Sequence, residues 1–330
     1  MVTPSPHDAS SRPRVGVVGA GVVGGRIIHR LGVLVPDVDL RVVDTRVVDP
    51  ARSPEIADLD VVVLAQPGPH HPTARRFLQR GVDVVSIADD VDDTRVLLDL
   101  ESLAVGHDAR LVVSAGMSSG LVALLTRHLS TNFASIDEVH VSLHGTAGPS
   151  CARQHHRALA GSAISVVDGV EVTSVSGTGR LLAWFPEPVG AYDCYRAELA
   201  SPLIIRRAFP EVERIQARVS ANRRDRLTSR LPMLTRPHLE GGIGAVRVEV
   251  RGTDHEGGRI CEIAGIAELV GTAAAGTASA FVELLLDPTA PGVEPGLIVP
   301  GDDVLPTRRL LHSVQRLGVR LQAFTGVPNV

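Results

Sequence analysis

Three glycines in the spacing G-x-G-x-x-G are the residues of this chain with the clearest chemical meaning. In such a turn the first glycine permits a tight bend, the second lets the backbone approach a pyrophosphate, and the third lets a helix pack closely on the preceding strand. The helix that follows offers free N–H groups and its positive dipole end to the phosphates. A tight strand–helix turn without a nucleotide is the alternative. The dinucleotide-binding residues predicted from this motif are Gly19, Ala20, Gly21, Val22, Val23 and Gly24.

An acidic residue follows the next predicted strand, Val38–Val43. Asp44 comes twenty residues after Gly24, where a carboxylate can accept hydrogen bonds from the ribose hydroxyls of NAD. Arg46, two residues later, is instead suited to the 2′-phosphate of NADP. We therefore expect Asp44, Thr45 and Arg46 to bind the ribose end of the cofactor, with NAD as the cofactor and NADP as the alternative.

The second half of the chain carries candidate substrate-binding residues at the start of a predicted helix, Cys151–Ala160, after a glycine-bearing turn at 144–150. Such a turn and helix N-terminus can hold a carboxylate through backbone amides. A histidine that titrates near neutrality can donate or accept the proton that accompanies hydride transfer. The predicted substrate-binding residues are Ser150, Arg153 and Arg157. The predicted acid–base residues are His155 and His156, for which ordinary positions on a helix surface are the alternative.

The first half of the chain must position the glycine turn, and its pattern is regular. Short apolar runs alternate with helical segments, which predicts a doubly wound parallel sheet of the Rossmann type. Ligands bind such sheets at the carboxyl ends of the strands, so the loops after the later strands should line one crevice. Gln66, Pro67 and Asp89 are therefore further predicted cofactor-binding residues, and for Asp89 a strand-end or helix N-cap role is favoured over a catalytic one. The predicted strands are Arg14–Val18, Val38–Val43, Asp60–Ala65, Val82–Ala88 and Arg110–Ala115.

The pattern changes after about residue 129, which indicates a second, α+β substrate domain. Asp168-Gly169 between two β-rich runs signals a two-residue hairpin, and a second hairpin is predicted around 253–258. We expect a flexible leader at 1–13, a dinucleotide-binding domain at 14–135, a substrate and dimerisation domain at 136–300, and a C-terminal helix and strand at 301–330 that return to the first domain. The Ala/Gly-rich helix 269–286 suggests a homo-oligomer, and a face buried within one chain explains it equally well.

Composition excludes several classes of protein. All 33 basic residues among the 330 are arginine, so neither a Schiff-base lysine nor a phosphate-loop lysine is present. The net charge of -4 offers no basic surface for nucleic acid. Three cysteines without C-x-x-C spacing predict neither a disulfide framework nor a thiolate metal site, and no metal is expected. Without an apolar leader or a membrane-spanning run, we expect a cytoplasmic protein with a small-molecule substrate and no membrane partner.

The chain resembles the saccharopine dehydrogenase-like oxidoreductases. The segments that carry the resemblance are VGVVGAGVVGGRI at 15–27, DVVVLAQPGP at 60–69, AGMSSGLVALLTRHL at 115–129 and WFPEPVG at 184–190. The family's turn near Ser119 commonly carries a proline, and here it carries serine. The resemblance implies a nicotinamide-dependent enzyme that makes or breaks a secondary amine by hydride transfer through an imine.

Three functions are consistent with these motifs. The first is an NAD(P)-dependent dehydrogenase or reductase acting at the C–N or C–O carbon of a small amino or keto acid. The second is a lyase or epimerase on the same cofactor that returns its hydride in each cycle. The third is a non-catalytic, NAD(H)-binding regulatory protein.

Overall fold

A computed structural model describes residues 12–44, 58–234 and 236–323 of the chain. Thr45 and Arg46, both predicted to contact the ribose, lie outside these residues, as does most of the predicted leader. The strands are β1 Arg14–Val18, β2 Asp39–Val43, β3 Val61–Leu64, β4 Asp83–Ser86, β5 Arg110–Val112, β6 Ser135–His144, β7 Ser162–Val167, β8 Val170–Val175, β9 Leu181–Phe185, β10 Gly190–Arg196, β11 Arg214–Ser220, β12 Ile243–Thr253, β13 Arg259–Leu269, β14 Gly296–Ile298 and β15 Leu321–Ala323. The helices are α1 Val22–Leu34, α2 His71–Leu78, α3 Val91–Leu98, α4 Glu101–Gly106, α5 Val122–Ser130, α6 Pro149–Ala158, α7 Ser201–Ala208, α8 Arg223–Thr228, α9 Val270–Leu285 and α10 Thr307–Arg316.

The first sheet is parallel throughout, in the order β14-β5-β4-β3-β1-β2. Its central strands are uninterrupted apolar runs, such as Val61–Leu64, because helices cover both faces of a doubly wound sheet. The strand order reverses between β1 and β3, which is the switch point where such sheets bind ligands. The predicted Rossmann-type fold is confirmed.

The second sheet is mixed, in the order β15-β13-β12-β6-β11-β10-β9. Off this path, β7 pairs with part of β11, and β8 pairs with β7. Its strands alternate, so that one face is apolar and packs on α5 and α7 while the other is polar. The predicted hairpin between β7 and β8 is present, and Asp168 (φ 52°) and Gly169 (φ 74°) both have the positive φ that its turn requires. The hairpin of β12 and β13 is also present.

The C-terminal part crosses between the sheets differently from the prediction. β14, placed in the second domain by the boundary at 300, is the edge strand of the first sheet. β15, expected to return to the first domain, instead pairs with β13 of the second sheet. A three-residue strand carries too little pattern to reveal its partner, because pairing is decided by distant contacts.

The Ala/Gly-rich helix α9 belongs to the first sheet's packing, although the sequence placed it in the second domain. It lies against α1, β3 and β4, and its small side chains let α1 approach closely. Fifteen of its sixteen residues are buried inside the chain, all but Glu283. This composition therefore serves an intrachain contact. Within the described residues no helix is both long and apolar enough to cross a membrane.

Candidate functional site

The glycine turn has the geometry that phosphate binding requires. Gly19 has φ +104°, and a Cβ there would lie 2.5 Å from the backbone nitrogen of Gln66. A Cβ on Gly24 would lie 1.8 Å from the carbonyl oxygen of Gly19. A Cβ on Gly21, by contrast, would meet no heavy atom within 4 Å. Two glycines are thus required by the protein's own packing, whereas Gly21 leaves space open at the N-terminus of α1.

The carboxyl ends of the parallel strands bring the other predicted residues to the same edge. Gly19 N–H donates to Val43 O at 2.8 Å, which draws the end of β2 and Asp44 beside the turn. Asp44 is half-buried there. Ala65 N–H donates to Val18 O at 2.8 Å and so fixes the chain that leads to Gln66. The switch point is therefore bordered by Asp44 on one side and Gln66 on the other.

The backbone carbonyl of Gln66 is hydrogen-bonded to a buried histidine, His70. The Nε2 of His70 donates to Gln66 O at 2.8 Å, and its Nδ1 accepts from the Ser86 hydroxyl at 2.9 Å. Burial lowers the pKa of His70, so the ring is neutral and this tautomer satisfies both bonds. The side-chain Oε1 of Gln66 is itself buried without a hydrogen-bond partner within the described chain. An orphaned acceptor at this edge fits a ligand that supplies a donor.

The adjacent His70 and His71 make separate structural hydrogen bonds. Both backbone N–H groups donate to the carboxylate of Asp93, at 2.6 and 3.0 Å, and His71 Nδ1 lies 2.8 Å from the same carboxylate. Their rings contact different partners, as expected for neighbouring residues at a helix start.

Asp89 is not the helix cap that the sequence favoured. The carboxylate of Asp90 caps α3 by accepting from Asp93 N–H at 3.0 Å. Asp89 instead accepts a hydrogen bond from the Ser119 hydroxyl at 3.1 Å, at the start of the helical turn Met117–Leu121. Burial raises the pKa of Asp89 to about 6, against hydroxyl hydrogen bonds that lower it. A carboxyl group that titrates near neutrality at a strand end can serve as a general acid or base.

Helix α6 of the second half packs beside the glycine turn. A Cβ on Gly148 would lie 2.9 Å from Cγ2 of Val22, so the start of α6 touches the start of α1. Burial raises the pKa of Cys151 to about 11, and the negative charge of Asp89 adds to the effect. Cys151 is therefore a neutral thiol close enough to Asp89 for the carboxylate charge to act on it. The first and second sheets thus both contribute side chains here.

The residues predicted on α6 separate by helical position. His155 shares the Cys151 face one turn on, and burial lowers its pKa to about 4, which leaves the ring neutral at pH 7. His156 is buried on the next face, and its Nε2 donates to the carbonyls of Thr228 and Leu231 at 3.0 and 3.1 Å. This is a structural role, so the acid–base prediction for His156 is not carried forward.

The predicted carboxylate clamp on α6 points away from the Cys151 face. Ser150, Arg153 and Arg157 are exposed, and helical spacing turns them about 100–160° away from Cys151. The polar contact that Arg153 makes is with Ser150, at 3.3 Å. The spacing of buried and exposed residues along α6 is the sequence signal that distinguishes these two faces of the helix.

A second cavity, which the sequence did not indicate, lies at the ends of β6 and β11. It has a volume of about 520 Å³. His144 donates to or accepts from the Ser220 hydroxyl at 2.8 Å and lies 4.1 Å, centroid to centroid, from the ring of Tyr192. The cavity joins strands that are 76 residues apart in sequence, so no local motif marks it.

Comparison with known proteins supports the fold and leaves the substrate open. No family model and no curated protein matches the sequence. The structure is similar to apo saccharopine dehydrogenase (L-Glu forming) from Saccharomyces cerevisiae, with a TM-score of 0.67, 13% identity, and coverage of 95% of this chain and 100% of that chain. The chain has the saccharopine dehydrogenase fold. The resemblance expected from the sequence is thus confirmed at the level of architecture.

Two further solved structures are more distant. A mutant meso-dapdh with DAP from Clostridium tetani E88 has a TM-score of 0.49 and 11% identity, covering 91% of this chain and 96% of that chain. GenD2 from gentamicin A biosynthesis, in complex with NAD, has a TM-score of 0.43 and 17% identity, covering 96% and 88%.

Proposed function

We propose that this protein is a nicotinamide-nucleotide-dependent oxidoreductase that transfers hydride to or from a carbon bearing nitrogen or oxygen in a small amino or keto acid. The single observation that carries the proposal is the open space at Gly21, between two glycines that tolerate no side chain. A strand–helix turn that served packing alone would not need the middle glycine. The yeast saccharopine dehydrogenase fold supports the same class of reaction.

The residues present fit the cofactor. The backbone of residues 19–24 and the N-terminus of α1 would hold the pyrophosphate. Asp44 would accept hydrogen bonds from the ribose, which favours NAD over NADP because a 2′-phosphate would meet its negative charge. Gln66 offers its orphaned Oε1 at the same edge. When bound, the nicotinamide supplies or accepts the hydride.

The chain itself supplies the proton chemistry. Asp89 is the acid–base candidate, because its pKa of about 6 lets it exchange a proton near neutral pH. The Ser119 hydroxyl orients the carboxylate by donating to it. Cys151 and the neutral His155, one turn apart on α6, would limit the entry of water around the carboxylate.

Two glycine variants test the proposal. Gly21→Ala adds a methyl group to the phosphate space without touching the protein, so thermal stability should be kept while NAD affinity falls about tenfold or more. Gly32→Ala is the matched control, because Gly32 lies in the same helix, also has open space around it, and is two turns or more from the phosphates. Its NAD affinity should equal that of the wild type.

The measurements are calorimetric titration with NAD, NADH, NADP and NADPH, and absorbance at the reduced nicotinamide band with a panel of amino and keto acids. Saturable binding of one nucleotide and a substrate-dependent absorbance change are expected. Wild-type protein free of carried-over nucleotide that binds none of the four at millimolar concentration would refute the proposal. Product formed without net absorbance change would instead assign a lyase or epimerase.

A further inference from the structure

The polar face of the second sheet contains a row of arginines that lacks a carboxylate. Arg196 lies directly opposite Arg218 on the neighbouring strand, Arg218 opposite Ser142, and Ser142 opposite Arg247. Residues opposite one another in a sheet share a face, so these four side chains form one line across β10, β11, β6 and β12. Three positive charges thus stand in one row.

Two rows further along the same face, a carboxylate does stand between two arginines. Glu138 lies between Arg214 and Arg251, 3.1 Å from the first and 3.5 Å from the second. It also accepts from His140 at 2.9 Å. In this row a carboxylate occupies the central position that the serine occupies in the arginine row. The contrast locates where a negative charge is missing.

Within the described chain, neither Arg196 nor Arg218 forms an ion pair with a carboxylate. Arg218 donates to two neutral acceptors, the carbonyl of Gly179 at 3.1 Å and the side-chain oxygen of Gln216 at 2.8 Å. The guanidinium of Arg196 lies against the same Gly179, where an added Cβ would be 2.9 Å from its central carbon. Two cations therefore converge on one residue, an arrangement that costs free energy unless an anion joins it.

The third arginine, Arg247, has a buried N–H group that donates to no acceptor in the described chain. Arg247 is only 8% exposed and pairs with Glu249 at 2.5 Å, yet its Nε is buried without a hydrogen-bond partner. Cys194 is fully buried and is close enough to both Arg218 and Arg247 for their charges to act on its thiol. Burial lowers the pKa of Arg218, and the like charge of Arg196 adds to this. Buried guanidinium donors of this kind are normally satisfied by an oxyanion.

A cavity of the size of a small ligand lies beside the row. His144 and Ser220, which line the cavity of about 520 Å³, lie on the same face, two residues along β6 and β11 from Ser142 and Arg218. Two residues of a strand span about 7 Å. Ser142 and Arg247 are almost fully buried, so this end of the row is too deeply covered for a polymer.

We propose that Arg196, Arg218 and Arg247 form an anion-binding site for the carboxylate or phosphate group of a small molecule, with the Ser142 hydroxyl at its centre. The binding claim is independent of hydride transfer; only the identification of the ligand with the substrate rests on the proposed function. In that case the substrate carries an acidic group that the second sheet holds while the crevice holds the reacting carbon.

The test compares two arginines of the same strand by calorimetric titration at constant ionic strength in chloride buffer. Inorganic phosphate and succinate are the probes, and the one that binds shows whether the site prefers phosphate or carboxylate. Wild-type protein should bind one of them saturably. Arg218→Gln should weaken that binding about tenfold or more. Arg214→Gln, in the row that has its own carboxylate, should leave the affinity unchanged.

A third variant supplies the missing charge from the protein. Ser142→Asp places a carboxylate between Arg218 and Arg247, as Glu138 does in the other row, so it should abolish binding of the probe and raise the melting temperature in anion-free buffer. Absence of saturable binding by the wild type, or equal losses in Arg218→Gln and Arg214→Gln, would overturn the site. Parallel titration with NAD separates the two claims, because loss of one binding event leaves the other measurable.

Discussion

Replacement of Asp89 by Asn should stabilise the protein at neutral pH while it removes activity. Burial raises the pKa of Asp89 from 3.8 to about 6, which is about 2 units, or about 3 kcal/mol at 1.36 kcal/mol per unit. Because the side chain is half-buried, solvent screening reduces this to about 1–2 kcal/mol. Asparagine keeps an oxygen for the Ser119 hydroxyl and carries no charge.

The sign of the effect follows from proton binding. Between pH 3.8 and about 6 the folded protein binds the proton of Asp89 more tightly than the unfolded chain does, so the contribution of Asp89 to stability is lost as pH rises through this interval. Asp89→Asn should therefore match the wild type at pH 4 and exceed it by about 1–2 kcal/mol above pH 7. Turnover should fall about 100-fold or more.

Urea unfolding at a series of pH values measures the stability difference. Asp90→Asn is the matched control, because Asp90 caps α3 and asparagine caps a helix about equally well. Its stability should differ little from that of the wild type at pH 7. A difference for Asp89→Asn that is constant from pH 4 to 8, or that is destabilising at pH 7, would refute the assignment of a buried, titrating carboxyl.

Four further variants test residues of the nucleotide crevice and of α6. Asp44→Ala should weaken NAD binding more than NADP binding, and an equal loss in calorimetric titrations would show that Asp44 does not contact the ribose. Ser119→Ala removes a hydrogen bond that lowers the pKa of Asp89, so the acidic limb of the kcat/KM profile should move to higher pH; an unmoved limb would contradict the role of the hydroxyl. His156→Ala should cost about 1–3 kcal/mol in urea unfolding, because a buried side chain and two hydrogen bonds to backbone carbonyls are lost, whereas His155→Ala should change kcat more than stability. The reverse pattern would return the acid–base role to His156.

The first sheet could be predicted because its information is local. Each central strand is a short apolar run, and the glycine turn has separate steric reasons for Gly19 and Gly24 that any sequence with this spacing would share. The hairpin at Asp168-Gly169 was predictable for the same reason, since two residues decide its turn. Tertiary contacts were not needed to predict these elements.

The elements that sequence reasoning misplaced depend on distant partners. β14 and β15 are three residues each, and which sheet they join is decided by strands more than 50 residues away. The N-cap of α3 is Asp90 and not Asp89, a difference of one residue that helix propensity is too coarse to resolve. The arginine row could not be predicted from the sequence, because its members come from four strands that are distant along the chain.

Because the C-terminal segment adds a strand to each sheet, the two halves of the chain depend on each other to fold. A fragment that ended at residue 135 would lack both the edge strand β14 and the helix α9 that covers β3 and β4. Its central strands would present bare valine side chains to water, so the nucleotide-binding half cannot be produced alone in a native state. Grafting a foreign substrate module onto this scaffold would have to preserve the last third of the chain.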